Sequence, residues 1–450
     1  MELEAAVSRA VEAALAGGAG AAEAYAQHAA GREIRIHGGE VESLTAATER
    51  GLGVRAWIGG RVGYSYGTEL SDRGLAAIAE RAVTAAAVAD EDEFAAPPAP
   101  AGEVPVLDGI DDPSIAEWPE ARVVELALAV ERAALEEDAR IAGVEQAVYA
   151  DSRESVAIAS STGIAGTYTA STAFAYLQAL AGGDGAKETG LGFGLARSPA
   201  ALDAAEIGRE GAQRALAMIG ARKPSSRACP VVFDPTVAAS FLGFIASVLG
   251  ADAVQRGRSP FAERLGDEVA SEALLLYDDG TEPEGLQSAP FDDEGLPRRR
   301  ISLVEEGRLR TFLHDSYTAR RGGAESTASA GRGGYRSPPS VSPSNLIVSE
   351  GELPLEELLR LAGDGIYIDD VAGLHSGVNP VSGVFSVGAS GREISGGELA
   401  GPVREFTIAS DLVEMLRGVR SVGAEARWVP FGGSVRTPPL LVGEMAVSGT

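Results

Sequence analysis

The sequence predicts an α+β fold, with an N-terminal α+β domain over residues 1–225 and a mainly antiparallel-β domain over residues 226–450. Three observations predict it. Helical and strand spacings alternate through the first third of the chain. Residues 141–195 show β alternation punctuated by Ser, Thr and Gly, and from about Val254 short strand-like runs are separated by Gly, Pro and Asp turns. In the N-terminal half this pattern suits antiparallel pairing better than βαβ crossovers.

Element by element, Leu3, Val7, Ala10, Val11 and Ala14 recur at helical spacing and Gly17-Gly18 ends that run. Strands are expected around Ala22–His28 and Glu33–Ser43, then a hairpin over Val54–Tyr66 that turns at Gly59-Gly60. A helix over Ser71–Val88 has Ser71 as its cap. Residues 90–116, rich in Pro, Asp, Glu and Ala, read as a loop or extended crossing. Helices are expected over Pro119–Glu137 and Ala200–Ile219, and Arg222–Arg227 marks the boundary. Beyond it, Pro230–Phe233 is a short buried strand that runs into a helix with Asp234 as cap, Pro235 as first residue and Gly250 as stop. Further helices are expected at Leu355–Leu361 and Ser410–Leu416, and no tandem repeat stands out.

Composition narrows the function classes. At about 150 residues per domain, this length allows about three domains or two larger ones. With 45% hydrophobic and 23% charged residues, the chain can bury substantial cores. Lys and Arg number 38 against 65 Asp and Glu, a net charge of −27 that repels phosphate backbones, so no nucleic-acid partner is expected. Cys229 is the single cysteine, so no intramolecular disulfide forms. The N-terminus places acids where a secretory signal needs bases. The longest uncharged apolar stretch, Pro235–Ala251, sits at the short edge of the roughly 17–25 residues a membrane span needs and carries soluble-helix caps. A cytoplasmic chain without a membrane partner is expected. The 4 histidines, His28, His37, His314 and His375, admit no HExxH zinc helix.

Several motifs have both a chemical and a structural reading. Arg256-Gly-Arg-Ser-Pro260 could hold an anion or a peptide carboxylate, or be a solvated turn. Asp278-Asp279, Asp292-Asp293 and Asp369-Asp370 could suggest a Ca²⁺ or Mg²⁺ site. Adjacent acids on a strand point to opposite faces, however, which favours turn or edge roles. Cys229 could be a nucleophile with His314 or His375 as base, but reads better as a buried thiol. Gly182-Gly-Asp-Gly185 and Gly190-Leu-Gly-Phe-Gly194 lack the context of a phosphate loop and read as β-turn glycines. His375–Gly391, dense in Gly and Ser, reads as a chain of hairpins.

That last segment, continuing through Glu398–Leu412, resembles the C-terminal signature of the TldD/PmbA family. Supporting stretches are Asp252–Ser259, Gly266–Ser271, Gly334–Ser340 and Pro343–Asn345, in the family's order and across most of residues 229–450. The resemblance implies a zinc metallopeptidase lineage, whose active subunit cleaves unfolded or peptide substrates with HExxxH on a helix and a Cys near the C-terminus. In this chain an ungapped placement puts Leu242 and Ser247 at the two histidines and Gly243 at the glutamate, and no cysteine follows Ser421. This implies the PmbA/TldE branch, with no metal in this chain and zinc in a partner subunit.

Three function classes follow. The first is a non-catalytic subunit that pairs with a zinc-bearing TldD-like subunit and helps form the cleft for an unfolded peptide, held by pairing with a strand edge. A homodimer is expected where that partner is absent. The cleft residues expected from the resemblance are Arg256, Gly257, Ser259, His375, Ser376 and Asn379, with turn formation as the competing role. The second is an independent hydrolase built on carboxylates and His314 or His375. The third is an acidic regulatory protein in a DNA-gyrase-related pathway.

Overall fold

The first helix, α1 (Leu3–Ala16), buries Ala6, Val7, Ala10, Val11 and Ala14 and stops before Gly18, whose φ of +102° few other residues adopt. β1 (Ala21–His37) and β2 (Glu40–Ile58) form a hairpin around Gly38-Gly39, and β3 (Arg61–Gly67) follows the Gly59-Gly60 turn. α2 (Asp72–Val88) begins at Ser71, whose Oγ accepts from Gly74 N at 3.2 Å. The order then repeats as α3 (Glu120–Glu137), β4 (Ile141–Ser160), β5 (Ala165–Ala181), β6 (Glu188–Ala196) and α4 (Ala204–Ala217). The six strands make one antiparallel sheet in the order β3-β2-β1-β4-β5-β6, joined at its centre by β1 and β4. The computed structural model describes residues 2–182, 187–431 and 433–450, so most of the Gly182–Gly185 turn reading lies outside the described residues.

The sheet is covered on both faces. Along β1, Ala22, Ala24 and Ala26 pack with α1 and α2, while Ile34 and Ile36 pack with α3 and α4. The intervening Glu23, Tyr25 and Gln27 point to the other face, against the C-terminal half. Two expectations are corrected here. The strand expected over Glu33–Ser43 crosses the Gly38-Gly39 turn, where Glu131 accepts both glycine N–H groups at 2.9 and 2.7 Å. Gly190, Gly192 and Gly194 lie within β6 instead of in turns. A Cβ at Gly192 would stand 2.0 Å from Ile207 O, so the missing side chains let α4 lie directly on the strand.

After α4 come β7 (Arg227–Phe233), α5 (Pro235–Val248) and the short α6 (Ala251–Gln255). Asp234 caps α5 by accepting from Thr236 N at 2.9 Å. Gly250, at φ −64°, follows α5 and opens α6. A second six-stranded sheet contains β8 (Leu276–Asp279), β9 (Arg300–Glu305) and β10 (Arg308–Leu309). α7 (Ser316–Gly322) and the two-residue pair β11 (Ala330–Gly331) and β12 (Ser340–Val341) lie between those strands and β13 (Asn345–Val348). The third sheet adds β14 (Gly365–Ala372), β15 (Val384–Ser395) and β16 (Glu398–Asp411) to β7, with α8 (Leu355–Ala362) and α9 (Leu374–Gly377) between strands. α10 (Leu412–Arg417), β17 (Val419–Val422), β18 (Arg427–Val429), β19 (Ser434–Thr437) and β20 (Leu440–Ser448) complete the chain.

α5 is buried between the second and third sheets, with Val237, Phe241, Leu242, Ile245 and Val248 in the largest core. Phe241 stacks on Phe233 at 5.4 Å and meets Phe385 at 5.0 Å. Among the described residues, no helix is long and apolar enough to cross a membrane.

Candidate functional site

A cleft of about 300 Å³ opens where the two halves meet, beside the partly exposed face of α5. One wall is Gln178 of β5, Thr189–Leu191 of β6, and Arg214 and Met218 at the end of α4. The other is Thr236 and Ser240 of α5, Asp369–Val371 of β14, Ser390 and Phe431. β6 is the outermost strand of its sheet, so among the described residues the edge that carries Thr189–Leu191 has no strand beside it.

Charged groups beside this cleft interlock. Arg214 reaches Asp234 at 3.1 Å and Glu210 at 3.1 Å. Asp234 also accepts from Tyr367 Oη at 2.8 Å and from Thr236 Oγ1 at 2.5 Å. Burial pushes the Asp234 carboxyl up, but Arg214 and these hydrogen bonds outweigh it, and the group is held below the usual carboxylate range. Arg392 grips Asp369 through two bonds of 3.1 and 3.0 Å, yet burial still raises the Asp369 carboxyl. Strand alternation would send Asp369 and Asp370 to opposite faces. A bulge between Ile368 and Asp370 brings both to this cleft, a departure from the turn or edge role expected of them.

Neither α5 nor the cleft beside it fits a zinc centre. Leu242 is buried in the core, Gly243 is half-buried, and Ser247 is exposed with its Oγ donating to Phe244 O at 2.6 Å. Asp234 and Asp369 are committed to arginines. Among the described residues, no three His, Cys, Asp or Glu side chains are grouped to hold a metal.

None of the six residues expected in a substrate site lines this cleft. Arg256, exposed at the end of α6, lines a separate cavity of about 260 Å³ with Trp57 and Tyr317. Gly257 turns the chain at φ +67°, and Ser259 Oγ accepts from Phe261 N at 3.1 Å. His375 and Ser376 are exposed on α9. Asn379 Oδ1 accepts from Val381 N and Ser382 N at 2.9 and 3.1 Å, the geometry of an Asx turn. The two segments approach one another, since a Cβ at Gly383 would lie 3.2 Å from Pro260 Cβ.

The other acid pairs knit turns. Asp278 holds Ser344, Asp279 holds Thr281, and Asp292 holds Glu294 N and Leu296 N. Cys229 is buried, which pushes its thiol up, and buried His314 is pushed down. The Arg214–Asp234–Tyr367 cluster escapes sequence reasoning because its members lie on α4, ahead of α5 and on β14. Only the capping position of Asp234 is legible in the sequence.

Known proteins match along the whole chain. The description "PmbA/TldA metallopeptidase domain 1" fits residues 22–86, the "central domain" residues 113–219, and the "C-terminal domain" residues 226–449. Metalloprotease PmbA of Escherichia coli O157:H7 is 28% identical over 453 residues, covering 99% of this chain and 96% of that protein. The Haemophilus influenzae PmbA homolog is likewise 28% identical over 453 residues, covering 100% and 96%. A Thermotoga maritima crystal structure described as a modulator of a DNA gyrase superposes with a TM-score of 0.90 at 26% identity, over 99% of this chain and all of that one. TldE from Thermococcus kodakarensis shares the fold, with a TM-score of 0.91 at 22% identity over 99% and 100% of the two chains. With three successive regions matched in order and near-complete alignment to PmbA relatives, the chain belongs to the PmbA/TldD family.

Proposed function

We propose that this chain is a non-catalytic subunit of a heteromeric TldD/TldE-type zinc metalloprotease, in the cytoplasm, that processes unfolded peptides. The observation that carries this reading is the chemistry of α5 together with that of the cleft beside it. Apolar or small residues occupy the positions where the resemblance puts zinc ligands, and Asp234 and Asp369 are neutralised by Arg214 and Arg392. A zinc peptidase needs three protein ligands, an open position for water and a base. This chain would instead contribute a wall, and the open edge of β6 offers backbone groups for an extended peptide. Zinc would reside in the partner subunit.

The test is co-purification with a zinc-bearing TldD-like relative, with size exclusion and elemental mass spectrometry. The expected result is one complex carrying about one zinc, and no stoichiometric metal in this chain alone. Separate elution at micromolar concentration, or chelator-sensitive peptide hydrolysis by this chain alone, would overturn the reading.

A further inference from the structure

A second, more polar cavity of about 620 Å³ lies between the first sheet and the loops of the C-terminal half. Tyr25, Glu154 and Tyr168 project into it from β1, β4 and β5, opposite Asp293, Arg298 and Arg332. Tyr25 is only 3% exposed, yet its hydroxyl has no hydrogen-bond partner among the described residues, and neither has that of Tyr168. A buried phenol hydroxyl that faces a cavity can both donate to and accept from a ligand there.

The charges point to the sign of that ligand. Arg332 is consumed by Glu23, which with Glu294 also holds Arg55, so two acids and two arginines close a neutral network. Glu49 pairs with Arg336 where the cavity meets solvent, at 2.9 Å. Glu154 and Asp293 remain, facing Arg298, which forms no ion pair among the described residues and donates only to Phe291 O at 3.4 Å. One oxygen of Glu154 accepts from Gln27 at 2.6 Å and one of Asp293 accepts from Arg332 N at 2.6 Å, so each carboxylate has a second oxygen to offer. Two carboxylates against one arginine leave the cavity short of a cation. Burial raises both carboxyls and they repel one another, which a bound cation would relieve. Among the described residues too few His, Cys, Asp and Glu side chains converge there for a metal ion, whereas a flat or compact organic cation fits phenol hydroxyls and single carboxylate oxygens.

We propose that this cavity binds the guanidinium or ammonium group of a basic peptide side chain, with Glu154 and Asp293 facing the charge and the Tyr25 and Tyr168 hydroxyls completing its hydrogen bonds. The assignment rests on the peptide-handling reading above and gives it a substrate class, peptides that carry Arg or Lys.

The experiment is calorimetric titration of the purified full chain with blocked tripeptides that carry a central Arg or its neutral isostere citrulline, beside free L-arginine and spermidine. The Arg peptide should bind at least about tenfold more tightly than the citrulline peptide, the scale of one charge-assisted hydrogen bond. Glu154→Gln and Asp293→Asn should each remove most of that preference, and Tyr25→Phe part of it, with melting temperatures showing that the variants fold. Equal binding of the two peptides, no binding at all, or a preference untouched in the double carboxamide variant would overturn the site. Binding of spermidine or free arginine with the Arg peptide excluded would overturn the peptide source. Because the titration uses this chain alone, loss of the partner-subunit reading, seen in size exclusion, stays distinguishable from loss of this site.

Discussion

At the level of single side chains, Arg214 does most to hold the candidate cleft together. It joins α4 of the first sheet's layer to Asp234, ahead of α5 in the C-terminal half, and Arg427 binds the same Glu210 from β18 at 2.5 Å. Removing Arg214 leaves Asp234, 4% exposed, without its cation. Breaking one side of a buried pair costs about 3–5 kcal/mol. Arg214→Ala should therefore lower the urea unfolding free energy by about that much, and Tyr367→Phe by about 1 kcal/mol, the worth of one hydrogen bond to Asp234. An Arg214→Ala loss below about 1 kcal/mol would mean that Asp234 is served by its N–H and hydroxyl donors alone. Neither pairing is legible in the sequence, since the partners stand 20 and 133 positions apart.

Elements show where local chemistry sufficed and where it did not. The Gly59-Gly60 turn is legible in the sequence because strand alternation flanks it. Gly38-Gly39 has the same left-handed geometry, with φ +64° and +78°, but Gly31 and the charges around it obscured the strand's full length. The glycines of β6 carry a signal of another kind. Their spacing of two places them on one face, and on β3 Gly63 does the same work, since its Cβ would fall 2.2 Å from Ala82 O on α2. The repeated order of helix, three strands and helix thus has a shared packing device, although no tandem sequence repeat announces it. Gly63→Ala and Gly192→Ala should each push a helix off its strand and cost about 1–3 kcal/mol or more. Differential scanning calorimetry should show a lower melting temperature for both. An unchanged value for either would mean that its helix can slide at no cost.

Across the whole molecule, buried acids set how stability responds to pH. Burial raises Asp278, beside Ser344, to about 6, and burial together with the nearby Glu294 also raises Asp292. Their unfolded values lie near 4, so the folded chain keeps protons that the unfolded chain releases. The stabilisation from these two groups is complete below about pH 4 and is lost as pH rises, through about 6 for Asp278. Asp234 has the opposite sign. Its carboxyl is held low, so its contribution is present above about pH 4 and lost only as pH falls further. Together they predict a stability maximum in mild acid and a decline towards neutrality. General repulsion at a net charge of −27 also grows with pH, so the Asp278 part must be isolated by difference. Asp278→Asn keeps an acceptor for Ser344 N and cannot ionise. The difference between about 6 in the folded chain and about 4 in the unfolded one makes its share about 3 kcal/mol. The wild-type minus variant difference in urea unfolding free energy should therefore fall by about that amount between pH 4 and pH 7 and stay flat beyond. A constant difference across that range would show that Asp278 is ionised throughout, with Arg298 fully compensating its burial.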